Sequence, residues 1–136
     1  MSVIASLTLN GSGPVVAVEG AVNTAIFTAF IRDSLVPTLQ PGDIVVMDNL
    51  SCHKAAAVQT ALDAAGAHLL FLPAYSPDFS PIENAFSKVK AILARLRPQT
   101  LDDLYEALRH AFEAISAHDA RAFFRAAGFS LLVQST

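Results

Sequence analysis

Two short apolar runs separated by a single helical segment constrain this chain more than any other feature. The runs are IVVM (Ile44–Met47), ending at Asp48, and HLLFL (His68–Leu72). Runs of this kind are typical of strands buried on both faces of a parallel sheet. Between them lies KAAAVQTALDAAG, a helical segment closed by Gly66 as its C-terminal cap. Two parallel strands need such a crossover, and crossovers of this type are right-handed. The unit predicts an α/β sheet.

The remaining elements follow from the same patterns. SVIASLTLN and VVAVEG, joined by NGSGP, predict a hairpin with a glycine-rich turn. Asn23 predicts an N-cap for a helix with Ile26, Phe27, Phe30, Ile31 and Leu35 on its apolar stripe, ended by Pro37 and the Pro41–Gly42 turn. After the second strand comes a stiff loop, PAYSPDFSP, and then a helix from Pro81 with Ile82, Phe86, Val89, Leu93 and Leu96 at helical spacing. Thr100, in T-L-D-D, caps a helix running to about Ser116, and a short helix runs from about Ala117 to Gly128. Hairpin, helix, strand, helix, strand and helices describe a sheet of mixed direction with helices on its faces. No linker interrupts it, so residues 1–136 read as a single domain.

Composition limits the partners. Nine basic against twelve acidic residues give a net charge of -3, whereas a dedicated nucleic-acid-binding domain usually carries a basic excess. Any contact with DNA then needs another module or local metal ions to offset phosphate charge. A single cysteine, Cys52, excludes an internal disulfide, reads as a small buried filler, and fits a reducing compartment. There is no secretory leader pattern and no apolar run long enough to span a bilayer, so the expected location is cytoplasmic, away from membranes. With 53% hydrophobic residues and only 15% charged, a buried partner surface is expected.

The chemistry centres on two acids. Ser80 and Glu83 have capping-box spacing, with Pro81 at the first helical position. Helix capping and a ligand role for Glu83 both fit that window. Ligands bind beyond the carboxyl ends of parallel strands. Asp48 follows one strand, and Glu83 opens the helix after the other. Asp48 alone also fits a turn residue, with Asn49 continuing the turn. Together the two carboxylates can converge on a hard divalent cation, which takes one or two carboxylates and keeps waters or phosphate oxygens for the rest.

GDIVVMDNLSCHK and AGAHLLFLPAYSPDFSPIENAFSKVKAIL resemble the catalytic core of bacterial insertion-sequence transposases related to the mariner elements. These are DDE-superfamily enzymes with a ribonuclease-H-like fold shared with retroviral integrases. The matching motifs are D-N-x-x-x-H at Asp48 and Y-S-P-x-x-x-P-I-E ending at Glu83, with 34 residues between the acids, a spacing that family shares. The resemblance implies metal-dependent DNA cleavage and strand transfer in transposition. It makes Asp48 and Glu83 the second and third acids of a triad, holding Mg²⁺ or Mn²⁺, with Asn49 and His53 in support. Lys54, Lys88, Lys90 and Arg97 are the candidate DNA contacts; Lys90 and Arg97 also fit a solvated helix face, at +7 and +14 from Glu83.

The resemblance also implies what is missing. The family's first acid lies on a first, central strand, and neither Glu19 nor Asp33 matches its position. The fold is therefore expected as a ribonuclease-H-like mixed sheet lacking that strand, a truncated catalytic domain inactive as an isolated chain. An upstream transposase polypeptide is an expected partner. The alternative is a non-catalytic remnant or dimeric interaction protein keeping the fold. Unpaired edges beside the missing strand, together with the apolar composition, predict a homodimer. DNA binding is expected to be weak without an N-terminal recognition region.

Overall fold

The computed structural model describes residues 2–47, 56–71 and 80–127. In chain order the elements are β1 (Ser2–Thr8), β2 (Gly11–Val18), α1 (Thr24–Phe30), β3 (Ile44–Met47), α2 (Ala56–Ala64), β4 (His68–Phe71), α3 (Pro81–Leu96), α4 (Leu101–Glu113) and α5 (Ala117–Ala126). They gather into two compact units, Met1–Ile4 with Pro14–Pro77, and Ala5–Gly13 with Asp78–Thr136. The β1–β2 hairpin contributes to both.

The first unit is built on the predicted strand–helix–strand crossover. β3 and β4 pair in parallel, with Ile44 opposite His68 and Met47 opposite Phe71. The turn before β3 pins their N-terminal ends. Pro41 and Gly42 occupy its centre, and Gly42 at φ 92° takes the position of a type II turn that favours glycine. The Gly42 N–H donates to the Gly66 carbonyl (2.8 Å), and the His68 N–H to the Asp43 carbonyl (2.7 Å). The Gln40 N–H donates to Asp43 Oδ2 (2.8 Å). α2 closes at Gly66 (φ 75°) in a Schellman pattern, with the Gly66 N–H on the Asp63 carbonyl and the Ala67 N–H on the Leu62 carbonyl, both at 3.0 Å.

Asn23 caps α1 as expected, its Oδ1 accepting from the Ile26 N–H at 2.8 Å. Phe27, Phe30, Ile31 and Leu35 are buried in one core with Ile4, Met47, Val58 and Leu62. The helix does not run evenly to Pro37, however. Ile31–Leu35 widen into a π-helical turn and Val36–Thr38 tighten into a 3-10 turn. Pro37 has no N–H with which to continue the α ladder. The Val36 N–H reaches back five residues to the Ile31 carbonyl instead.

Two expectations need correction. Neither face-to-face burial of β3 nor that of β4 is complete. Alternation and register place Val45, Met47, Leu69 and Phe71 toward the core, and Ile44, Val46, His68 and Leu70 on the opposite face. Ile44 is 58% and Leu70 51% exposed there. A uniformly apolar run cannot say whether its second face is covered. The hairpin turn also differs: Leu9 and Asn10 alone make it, and the glycine-rich GSGP begins β2. Thr8 Oγ1 substitutes for the longer turn, accepting from the Asn10 N–H and donating to the Gly11 carbonyl, both at 3.1 Å. The hairpin and the parallel pair give strands of mixed direction. They form separate two-stranded ladders among the described residues, as expected of a sheet lacking a strand between them.

In the second unit α3 packs on α4 and α5. Ala85, Val89 and Ile92 of α3 are buried, as are Ala107, Leu108, Ala111 and Phe112 of α4, Ile115, and Ala120 of α5. Phe86 and Phe112 meet edge to face, centroids 6.1 Å apart. The α3 stripe is therefore rotated toward its small residues: Ile82, Phe86 and Leu93 are half-buried, and Leu96 is 48% exposed. Small Ala85 and Ala111, both fully buried, let the helices approach closely. Gly11 marks another close approach, because a Cβ there would lie 2.8 Å from the Ile115 carbonyl oxygen.

Candidate functional site

Glu83 stands in the first turn of α3, exposed, where a carboxylate is favoured by the helix dipole. The capping box expected from Ser80 and Glu83 does not form. The Ser80 side chain makes no bond to the first turn, and the Glu83 N–H donates to the Ser80 carbonyl at 3.2 Å. The cause lies in the backbone. The side chains of Asn23, Thr100 and Ser116 cap their helices from ψ values of 178°, 166° and 168°. Ser80 sits at ψ 111° instead, away from the angle at which the other three cap. Glu83 is thus released from capping. Among the described residues its carboxylate has no hydrogen-bond or ion-pair partner.

Asp48 is the residue after the C-terminal end of β3. Asp48, Asn49, Cys52, His53 and Lys54 lie outside the described residues. Among the described residues no three acidic, histidine or cysteine side chains gather to hold a metal ion.

The basic residues of α3 divide. Lys90 is exposed on the turn sequence that also carries Glu83 and Ser87, and Ser87 Oγ donates to the Glu83 carbonyl at 3.1 Å. Lys88 points elsewhere, forming an ion pair with Asp119 of α5. Asp119 also completes a capping box with Ser116: its N–H donates to Ser116 Oγ (3.0 Å), and its Oδ2 accepts from the Ser116 N–H (3.1 Å). The Lys88 ammonium, with help from the Ser116 N–H, holds the Asp119 carboxyl below the usual carboxylate range. Arg97 is no longer in the helix. It is the C-cap of α3, in the left-handed region at φ 49° and ψ 59°, so the +14 spacing from Glu83 does not place its side chain on the Glu83 face.

The helix α5 lies where the sequence places it, but its arginines are not among the sequence candidates. Arg121 and Arg125 are both exposed there, one turn apart. The signal was present as R-x-x-x-R with no acid three or four residues from either arginine among the described residues.

The fold has solved counterparts. The Mos1 transposase catalytic domain with raltegravir and Mg is 22% identical, with a TM-score of 0.71, covering 92% of this chain and 67% of that chain. The same domain with raltegravir and Mn gives the same values. A crystal structure of the Mos1 mariner transposase catalytic domain is also 22% identical, with a TM-score of 0.68, covering 92% of this chain and 66% of that one. The architecture is thus that of the ribonuclease-H-like transposase catalytic domains. Residues 1–105 match the family of DDE superfamily endonucleases, and the chain belongs to that family. No curated protein matches it.

Proposed function

We propose that this chain is the metal-binding half of a DDE transposase centre, acting on DNA phosphodiesters in cleavage and strand transfer. The observation that carries the reading is the exposed Glu83 carboxylate, freed from capping and unpartnered among the described residues. A hard oxygen donor of that kind suits Mg²⁺ or Mn²⁺, the ions present in the two Mos1 structures. The 34-residue spacing and the family membership nominate Asp48 as the second carboxylate. A divalent ion bound there supplies Lewis-acid activation of a water or a DNA 3′ hydroxyl and charge stabilisation at the leaving oxygen. Asp48 and Glu83 would hold the ion, Asn49 would orient the Asp48 carboxylate, and His53 and Lys54 would contact phosphate. Lys90 continues that contact along α3.

Two carboxylates where the family uses three imply weak, millimolar metal affinity and a need for an acid from an upstream segment or polypeptide. Calorimetry with Mn²⁺ tests the site: Asp48→Ala and Glu83→Ala should each abolish binding, and binding retained in either variant refutes the assignment. Plasmid nicking should be absent for these residues alone and appear when the chain is extended upstream. DNA binding should be weak, non-specific and steeply salt-sensitive; tight, sequence-specific binding in physiological salt contradicts it.

A homodimer is the second part of the proposal. β3 pairs with β4 alone among the described strands, and Ile44 and Leu70 are exposed beside that edge. A second copy offers the same apolar strand face, so packing the two faces together about a twofold axis covers Ile44 and Leu70 of both copies. Sedimentation at micromolar concentration giving only a 14.4 kDa species refutes the dimer.

A further inference from the structure

The exposed face of α5 carries an arrangement that the metal-site reading does not use. Arg121 and Arg125 are exposed and four residues apart, so they stand about 6 Å apart along one side of the helix. Neither has a hydrogen-bond or ion-pair partner among the described residues. Like charges at this spacing repel.

The contrast with α4 is informative. Arg109 also lies on an exposed helix face, but Glu106 and Glu113 bond it at 2.5 and 3.5 Å. That is the ordinary arrangement of a solvated helix surface. On α5 the only acid, Asp119, is turned to Lys88 and the helix cap. Arg125, in the last turn, gains from the helix dipole without any ligand. Arg121 is mid-helix and has no such compensation. Two exposed guanidiniums without a neutralising acid among the described residues match a ligand with closely spaced, planar-accepting anionic groups.

We infer that the Arg121–Arg125 pair of α5 is a positioning contact for the DNA phosphodiester backbone, separate from the Asp48 and Glu83 metal ligands. The inference rests on the DNA reading above and adds to it residues that bind without touching the reacting atoms. Because the contact needs no metal, it operates in chelator.

The test is fluorescence anisotropy of a labelled duplex with the full chain in EDTA, titrated across salt. Arg121→Gln with Arg125→Gln should make the slope of log affinity against log salt shallower by about 1.8, and weaken binding roughly 10- to 60-fold near 0.1 M salt. Arg109→Gln, at a guanidinium already bonded to Glu106 and Glu113, should leave the slope unchanged in EDTA. An unchanged slope in a double variant with native circular dichroism overturns the inference, as does absence of wild-type binding at low salt. Poly-glutamate of matched charge competing as well as DNA also overturns it, assigning the pair to acidic protein partners. Loss of Mn²⁺ binding by calorimetry is scored separately, so failure of the metal site leaves this result readable.

Discussion

Asp119 ties α5 to α3, and replacing it offers a direct measure of what holds the second unit together. Its carboxylate accepts from the Ser116 N–H at 3.1 Å and pairs with Lys88, whose side chain is 33% exposed against 27% for Asp119. Losing half of a capping box costs about 0.5–1 kcal/mol. A fully exposed ion pair contributes about 0.2–1 kcal/mol, and this one is two-thirds covered, so about 1 kcal/mol is reasonable. Asp119→Ala should therefore cost about 1.5–2 kcal/mol, which for a chain of this size lowers Tm by roughly 5–10 °C. Lys88→Met should cost less, and the double-mutant cycle should return a coupling near 1 kcal/mol. The pH dependence has a fixed sign. Asp119 is held below its unfolded value, so its contribution is full above about pH 4 and is lost as pH falls through the folded value. Urea melts of wild type and Asp119→Asn should differ by a constant amount from pH 5 to 8 and converge in acid. Lys88→Met should leave DNA affinity unchanged, because the amine is already committed to Asp119. A coupling below about 0.3 kcal/mol, or a salt slope reduced by Lys88→Met at unchanged stability, refutes this account.

Gly11→Ala should destabilise by more than Gly20→Ala in chemical melts. Both glycines have positive φ (128° and 78°), but only at Gly11 does the new Cβ meet backbone, the Ile115 carbonyl oxygen at 2.8 Å; equal losses contradict the close approach. Phe112→Ala should cost about 3–5 kcal/mol in the same assay, since the ring is buried and packs edge to face on Phe86. Leu96→Gln should change stability by less than about 0.5 kcal/mol, its side chain being outside the core despite its place in the apolar sequence pattern.

The strand–helix–strand unit was legible because each of its signals is local. Apolar runs, an alanine-rich helix and Gly66 agree with one another, and the parallel register follows. Asn23 and Thr100 were equally readable as caps, since a short polar side chain before an apolar stripe has few other uses. Ser80 failed because its backbone sits at ψ 111°, far from the 166–178° of the working caps, and spacing in the sequence does not record that angle. The true capping box lies at Ser116 and Asp119, where the same spacing occurs without a following proline. Lys88 illustrates a different limit. Position on a helix gives the direction of a side chain, but its partner, 31 residues away on α5, is fixed by packing that sequence periodicity does not contain. For the same reason helical spacing could not carry Arg97 onto the Glu83 face, because α3 ends one residue earlier.

The net charge of -3 argued against a nucleic-acid surface, and the distribution of ion pairs weakens that argument. Arg32 is bonded to Asp33 at 3.0 Å, Lys88 to Asp119, and Arg109 to Glu106 and Glu113. The described cations with no acid partner among the described residues are Lys90 and Arg95 of α3, Arg97 at its cap, and Arg121 and Arg125 of α5. In the second unit seven acids stand against seven cations, and four of those acids, Asp102, Asp103, Glu106 and Glu113, lie on α4. At physiological salt a charge is felt over about 8 Å, so a phosphate in contact with one helix responds to that helix rather than to the sum over the chain. Net charge then governs the approach from a distance, and free cations govern the contact. An acidic chain of this kind should associate slowly with DNA at low salt, yet still lose affinity on Arg121 and Arg125 substitution, because the second effect depends on two local guanidiniums and the first on the whole surface.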